Sequence, residues 1–449
     1  MKRIYIIISL LLVLFLQAIS GQEKKWTLED CINYAVTNNI GLQRQKLQTE
    51  LKRTDLLVSR MNLLPNLNAG SNLYYTDGRS INQSDNSINF NKNMYSDIGI
   101  SSNLVIFNGL YEINTIAAYK FLLKAGVESE KIVRNTLVAD IMGQYYQVVY
   151  DKGLEDASKM QLDLSEKQLF RITKMVETGK EALAKQYEIE SQYSADKLSY
   201  TVAHNTASQA VTTLKQMLQL EPGTEFDVET PDLKNTLITD NSFSTDSVYR
   251  LAAQNLPRLK EIEYELTASK KQIAAAKGII APKLTAGGQI SSIYSDILND
   301  NIKPNPYPTQ IKGDISKQVS LSLNVPLFNN LSTYRNIKMA KLRKNDNELR
   351  LELEKNNLYT DIENACLNYN RGKDEFVAAN ANFYYNTQSF AAVQKKFESG
   401  LVNVTDFSVA KTTLFRAETE ALRTKLQLLI RKLAIQFYAT GEYENLLKQ

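Results

Sequence analysis

No proline occurs between Asn66 and Glu221, and none follows Pro326. A proline inside a helix removes a backbone hydrogen bond and clashes with the preceding turn, so each of these long stretches is free to form very long helices. Glycine and proline number only 18 and 9 in 449 residues, about half the usual share. More than half of them fall in two stretches, Pro65 to Gly109 and Gly278 to Pro326. A sandwich or a nucleotide-binding α/β chain, which needs a turn signal about every dozen residues, is excluded. The pattern reads as long helices interrupted by two turn-rich inserts.

An internal repeat organises the chain. A shift of 217 carries Trp26-Thr27 onto Phe243-Ser244, Ala35 onto Ala252, Asn38 onto Asn255, Leu42 onto Leu259 and Pro65 onto Pro282. After the first insert the shift becomes 221, placing Asn103 on Asn324, Phe107-Asn108 on Phe328-Asn329 and Glu177-Thr178-Gly179 on Glu398-Ser399-Gly400. Persistence of one offset over so many residues marks a duplication.

Each half has the same plan. A short helix over Thr27–Val36 leads to a second over Leu42–Leu63, which Pro65 stops; Pro257 and Pro282 punctuate the other half. Alternation then takes over. Ile98, Ile100, Leu104 and Ile106 alternate with Asp97, Gly99, Ser101 and Asn103, and Val319, Leu321, Leu323 and Val325 with Gln318, Ser320, Ser322 and Asn324. Four strands of roughly ten residues match a tilted crossing of a bilayer. The connections from Asp77 to Met94 and from Asp296 to Asp314 are polar and read as solvent loops. Tyr74, Tyr75, Tyr95 and Tyr294, near strand ends, suit an interfacial aromatic girdle. Helical sequence follows from Leu110 to about Val176, with Val138, Met142, Tyr145 and Val149 on one stripe. That is about 100 Å of helix. Gly179 permits a turn and a return helix runs from Ala182 to Leu220; Leu331–Phe397, Gly400 and Val404–Ala439 repeat the arrangement as a second coiled-coil hairpin.

The domain reading is therefore a signal peptide over 1–20, with Met1-Lys2-Arg3 as its basic start, Ile4–Leu16 as its apolar core and Ala18-Ile19-Ser20 before the cut. A first repeat covers 21–220, with strands at about 66–76 and 96–107 and a helical hairpin at about 110–220. A linker covers 221–242. A second repeat covers 243–441, with strands at about 284–295 and 316–327 and a hairpin at about 331–440, and 442–449 is a tail. Cys31 sits in Leu28-Glu29-Asp30-Cys31, which lacks a lipoprotein signal's small apolar residues, so no lipid anchor is expected. Beyond Ser20 no apolar run is long enough for a membrane helix. A membrane-inserted form must cross as strands. Four strands cannot close a barrel, and open edges in lipid leave backbone groups unsatisfied. The chain must associate: two copies give eight strands and a filled interior, three give twelve and room for a channel.

Bulk composition removes other chemistries. One His and two Cys supply neither a zinc cluster nor a disulfide framework. A net charge of +4 without a clustered basic run excludes a nucleic-acid partner. No cofactor, metal ligand or catalytic residue is expected: His204 lies mid-helix with no acid or nucleophile in view, and Cys31 and Cys366 read as buried thiols. The charged stretch Lys338–Lys355 reads as a solvated helix face.

Thr27-Leu28 with Ala35 and Asn38, Leu63-Leu64-Pro65-Asn66-Leu67, Val325-Pro326-Leu327-Phe328-Asn329, and Phe397-Glu398-Ser399-Gly400-Leu401 with Asp406 resemble the TolC-like outer membrane factor family, the exit ducts of bacterial efflux pumps and type I secretion systems. The resemblance covers Trp26 to Gly441. It implies a mainly α fold with β: a duplicated helix, β-hairpin and long helical hairpin. It also implies a homotrimer whose 12-stranded β-barrel, four strands per chain, sits in outer membrane lipid and continues as a periplasmic α-helical barrel. A periplasmic adaptor protein and an inner-membrane pump, proton-driven or ABC, are the implied partners. By this resemblance Glu177, Gly179, Glu398, Gly400, Leu401 and Val402 mark the periplasmic tips where the adaptor docks, although stereochemistry alone asks for glycine where two helices turn. Asp406, six residues after Gly400, stands where family members place a lumen-facing aspartate, a candidate periplasmic gate; at a helix start it also suits the helix dipole. Val409 replaces a second possible aspartate, and Lys185 holds the duplicated position of Asp406. The alternative from another class is a periplasmic or secreted coiled-coil structural or interaction protein, which leaves the four alternating strands without a purpose.

Overall fold

The structure is a computed structural model that describes residues 25–81, 88–231, 243–298 and 305–443. The expected signal peptide, the second part of the expected linker and the end of the tail lie outside the described residues. In chain order the elements are α1 (Leu28–Asn38), α2 (Ile40–Met61), β1 (Asn68–Ile81), β2 (Ile88–Phe107), α3 (Tyr111–Glu177), α4 (Leu183–Met217), α5 (Thr245–Asn255), α6 (Pro257–Gly278), β3 (Lys283–Leu298), α7 (Tyr307–Gly313), β4 (Ser316–Asn324), α8 (Ser332–Glu398) and α9 (Val404–Thr440). Apart from α7, the order helix, helix, strand, strand, helix, helix occurs twice. No helix among the described residues is long and apolar enough to cross a membrane.

The chain folds into two compact units, one of residues up to Lys46, Ser129–Leu259 and from Glu354 onward, the other of Leu47–Glu128 and Lys260–Leu353. In the first, α1 starts with a reciprocal cap. The Thr27 hydroxyl accepts from the Asp30 amide at 3.1 Å while the Asp30 carboxylate accepts from the Thr27 amide at 3.2 Å. The face this exposes to the interior, Cys31, Ile32 and Ala35, packs on the stripe Val138, Met142, Tyr145 and Val149 of α3 and on Leu214 and Leu218 beyond it. Ala35 and its duplicate Ala252 are both fully buried. Residues 221–231 are pinned rather than slack: Trp26 and Val228 form a parallel bridge, Tyr145 donates to the Glu229 carbonyl at 2.7 Å, and Lys152 pairs with Asp227.

The second unit contains an antiparallel sheet in the order β1-β2-β3-β4. Directly opposed residues share a face. Ala69 faces Ile100, Ile100 faces Ile290, Leu284 faces Leu323 and Ala286 faces Leu321, so one surface is apolar. Asn72 opposite Asp97, Ser101 opposite Gln289 and Gln289 opposite Gln318 make the other surface polar, and Asn72 donates to Asp97 across the pair at 3.0 Å. β1, β2 and β3 are longer than the alternation suggested, and β4 is shorter than the expected 316–327. The expected solvent loop from Asp77 to Met94 continues the ladder up to Ile81 opposite Ile88, because backbone pairing does not depend on apolar side chains. β4 stops at Asn324, shortly before Pro326, which has no amide hydrogen to donate. In the other expected loop, Pro306 and Pro308 start α7. This helix covers the end of β3: Ser292 donates to the Ile311 carbonyl at 2.8 Å, and Tyr294 lies buried against Tyr307 with ring centroids 4.9 Å apart. Tyr294 is thereby removed from any lipid-facing girdle.

Where β2 gives way to α3 and α6 to β3, two glycines meet. A Cβ on Gly109, whose φ is +68°, would lie 2.1 Å from the Gly278 carbonyl oxygen, and one on Gly278 would lie 2.4 Å from that of Gly109. No other residue fits either place.

Candidate functional site

Both long hairpins turn by the same backbone device. At the end of α3 the Gly179 amide donates to the Val176 carbonyl at 2.9 Å and the Lys180 amide to Met175 at 2.8 Å; at the end of α8 the Gly400 amide donates to Phe397 at 3.0 Å and the Leu401 amide to Lys396 at 2.9 Å. This is the Schellman closure, which needs a left-handed residue. Gly179 and Gly400 supply it with φ of +69° and +75°, in open surroundings. The stereochemical requirement for glycine is therefore present at both turns.

The two turns lie side by side within one unit. Arg171 donates to the Glu398 carbonyl at 2.9 Å, satisfying an orphan acceptor and placing a cation at the negative end of α8. Thr405 donates to Glu188 at 3.0 Å. Beneath them Ile172, Ile189 and Val404 are buried with Phe397 against them, and the rings of Phe397 and Phe407 pack at a tilt with centroids 4.6 Å apart. A cavity of about 280 Å³ opens between the turns, bordered by Arg171, Glu181, Lys185, Gly400, Leu401 and Val402. Of the sequence-derived tip residues it gathers Gly400, Leu401 and Val402; Leu401 is 77% exposed. Glu177, which accepts from Lys174 at 2.7 Å, Gly179 and Glu398 stand outside it.

Asp406 occupies the first turn of α9, exposed, with its amide donating to the Asn403 side chain at 2.8 Å. The opposite turn is built differently: Ala182 gives α4 no side-chain cap, and Lys185 stands where α9 has Asp406. The helix-dipole role of Asp406 is satisfied by this position, and its carboxylate remains free to face solvent.

One ionic group escaped the sequence reading. Lys411 is 1% exposed and forms an ion pair with Asp196 of α4 while donating to Ser165 of α3 at 2.6 Å. Gln192 donates to the other Asp196 oxygen at 3.0 Å. Burial pushes the Lys411 ammonium below the ordinary lysine range, with Asp196 pulling the other way. Three helices are thus tied together, five residues beyond Asp406. The available signal is Lys411 at the end of the buried stripe Val404, Phe407. His204, expected without an acid partner, has one: its Nδ1 lies 2.7 Å from Glu155, brought across by the antiparallel return of α4 on α3. Cys31 and Cys366 are free, buried thiols. Burial, helped by Asp30, pushes Cys31 up to about 12. Among the described residues no group of three His, Cys, Asp or Glu could hold a metal ion.

Comparison with known proteins follows the same lines. The family model described as outer membrane efflux protein matches residues 248–441. No curated protein matches the sequence. Among solved structures, CusC superposes with a TM-score of 0.77 at 16% identity over 94% of this chain and 96% of its own. The Campylobacter jejuni CmeC outer membrane channel gives 0.76 at 14% identity over 94% and 88%. The open state of the Neisseria gonorrhoeae MtrE outer membrane channel gives 0.75 at 18% identity over 93% and 89%. Residues 248–441 thus match the outer membrane efflux protein model, and the chain as a whole has the fold of the CusC, CmeC and MtrE structures.

Proposed function

We propose that this protein is the outer membrane exit duct of a tripartite efflux pump or a type I secretion system, a passive channel and not an enzyme. The observation that carries the reading is the four-stranded sheet with one apolar face, one polar face and two unpaired edges. Such a sheet has no stable place in lipid until other copies close it. Three copies give twelve strands and a polar lumen. The efflux protein match over 248–441 supports the same conclusion.

In this reading the tips at Glu177, Gly179, Glu398, Gly400, Leu401 and Val402 meet a periplasmic adaptor, which connects the duct to a proton-driven or ABC pump in the inner membrane. The exposed Leu401 beside the cavity bordered by Arg171, Glu181 and Lys185 offers such a partner an apolar contact ringed by charge. Asp406, once per subunit around a three-fold axis, forms an anionic ring at the periplasmic entrance. Membrane fractionation and native mass test the whole reading. Detergent-dependent, heat-modifiable trimers in the outer membrane fraction are expected; a soluble monomer overturns it.

A further inference from the structure

The helix that leaves β4 is basic where its duplicate is not. The first thirteen residues of α8, Ser332–Lys344, contain Arg335, Lys338, Lys341, Arg343 and Lys344 and no acid; the first thirteen of α3, Tyr111–Leu123, contain only Glu112 and Lys120. In the same unit the last part of α6 adds the exposed Lys270 and Lys277, and no Asp or Glu occurs from Leu266 to Ser295 or from Ile315 to Asn345. Lys344 pairs with Glu348, whereas Arg335, Lys338, Lys341 and Arg343 are exposed and form no ion pair among the described residues. Between β4 and the first of these cations stand Leu327, Phe328, Leu331 and Tyr334, which are 92%, 77%, 65% and 62% exposed.

Exposed apolar and aromatic side chains followed at once by cations are what a segment presents when it leaves hydrocarbon through a headgroup layer. From Arg335 to Arg343 the helix rises about 12 Å, and long basic side chains can reach back toward the interface along their apolar stems. We infer that the start of α8, with Lys270 and Lys277 of α6, is a binding site for anionic phospholipid headgroups in the periplasmic leaflet of the outer membrane. The inference rests on the outer membrane reading, which puts these helix ends on the periplasmic side. Self-repulsion among four unpaired cations disfavours the collar in water and is relieved by phosphodiester anions.

The test uses the full-length protein in nanodiscs of phosphatidylethanolamine mixed with phosphatidylglycerol, with retained lipids identified by native mass spectrometry. Wild type is expected to keep phosphatidylglycerol in preference. The quadruple variant R335Q/K338Q/K341Q/R343Q should lose the preference by about tenfold or more, since each cation near an anionic surface is worth roughly a fivefold factor. The charge-preserving R335K/R343K should keep it, as should K355Q further along the helix, and added salt should weaken it. Equal retention of both lipids by inserted wild type overturns the lipid site alone. So does a quadruple variant with unchanged lipids but altered ion selectivity, which would place the cations in the lumen. A wild type that enters no bilayer overturns the membrane reading as well.

Discussion

Asp406 and Lys185 occupy equivalent positions in two turns of the same backbone design, and their opposite charges show that the turn itself does not fix the charge at this place. The fold asks only for glycine at 179 and 400, where φ is positive. A carboxylate in the first turn of α9 adds about 0.3–1 kcal/mol through the helix dipole, so Asp406→Ala should leave trimers intact. In a planar bilayer the same variant should lose cation selectivity and divalent block, because three carboxylates around an axis concentrate cations. Unchanged selectivity and block would end the gate assignment. The turns at Gly179 and Gly400 were legible because a left-handed residue between two helices depends on local order along the chain. His204 with Glu155 was invisible, because 49 residues and a helix reversal separate the partners.

Helices and strands were legible to different degrees. The long helices end within about three residues of where the glycines and prolines suggest, since breakers act locally. The β1–β2 ladder extends through polar sequence, since hydrogen bonding between strands has no side-chain signature. Least legible was the group joining α3, α4 and α9, Ser165, Asp196 and Lys411, which no periodicity links. Its energetic consequence is specific. Lys411→Met strands a buried carboxylate and should cost about 3–5 kcal/mol, whereas Lys411→Met with Asp196→Leu should recover most of that loss. Thermal unfolding of the detergent-solubilised protein measures both. A double variant destabilised by the sum of the losses of Lys411→Met and of Asp196→Leu alone would show that the pair is uncoupled.

For the whole molecule, the decisive property is the difference between the faces of the sheet. Val319 is 90% exposed in the single chain and shares the apolar face with Leu321 and Leu323. Its neighbour Gln318 points to the other side. Val319→Lys should cost about 2–4 kcal/mol if it lies near the bilayer midplane and lower the yield of inserted trimers, while Gln318→Lys should insert normally and change conductance. Equal yields for the two variants would contradict the assignment of faces.

α3 and α8 each contain 67 residues. With the Arg171 contact to the Glu398 carbonyl fixing their ends side by side, the two helices act as matched measuring rods. Removing one residue from either would pull its turn back by about 1.5 Å and swing it through about 100°. Their lengths can therefore change only in concert, and most easily by whole numbers of turns, so the two helices keep one shared, nearly quantised length.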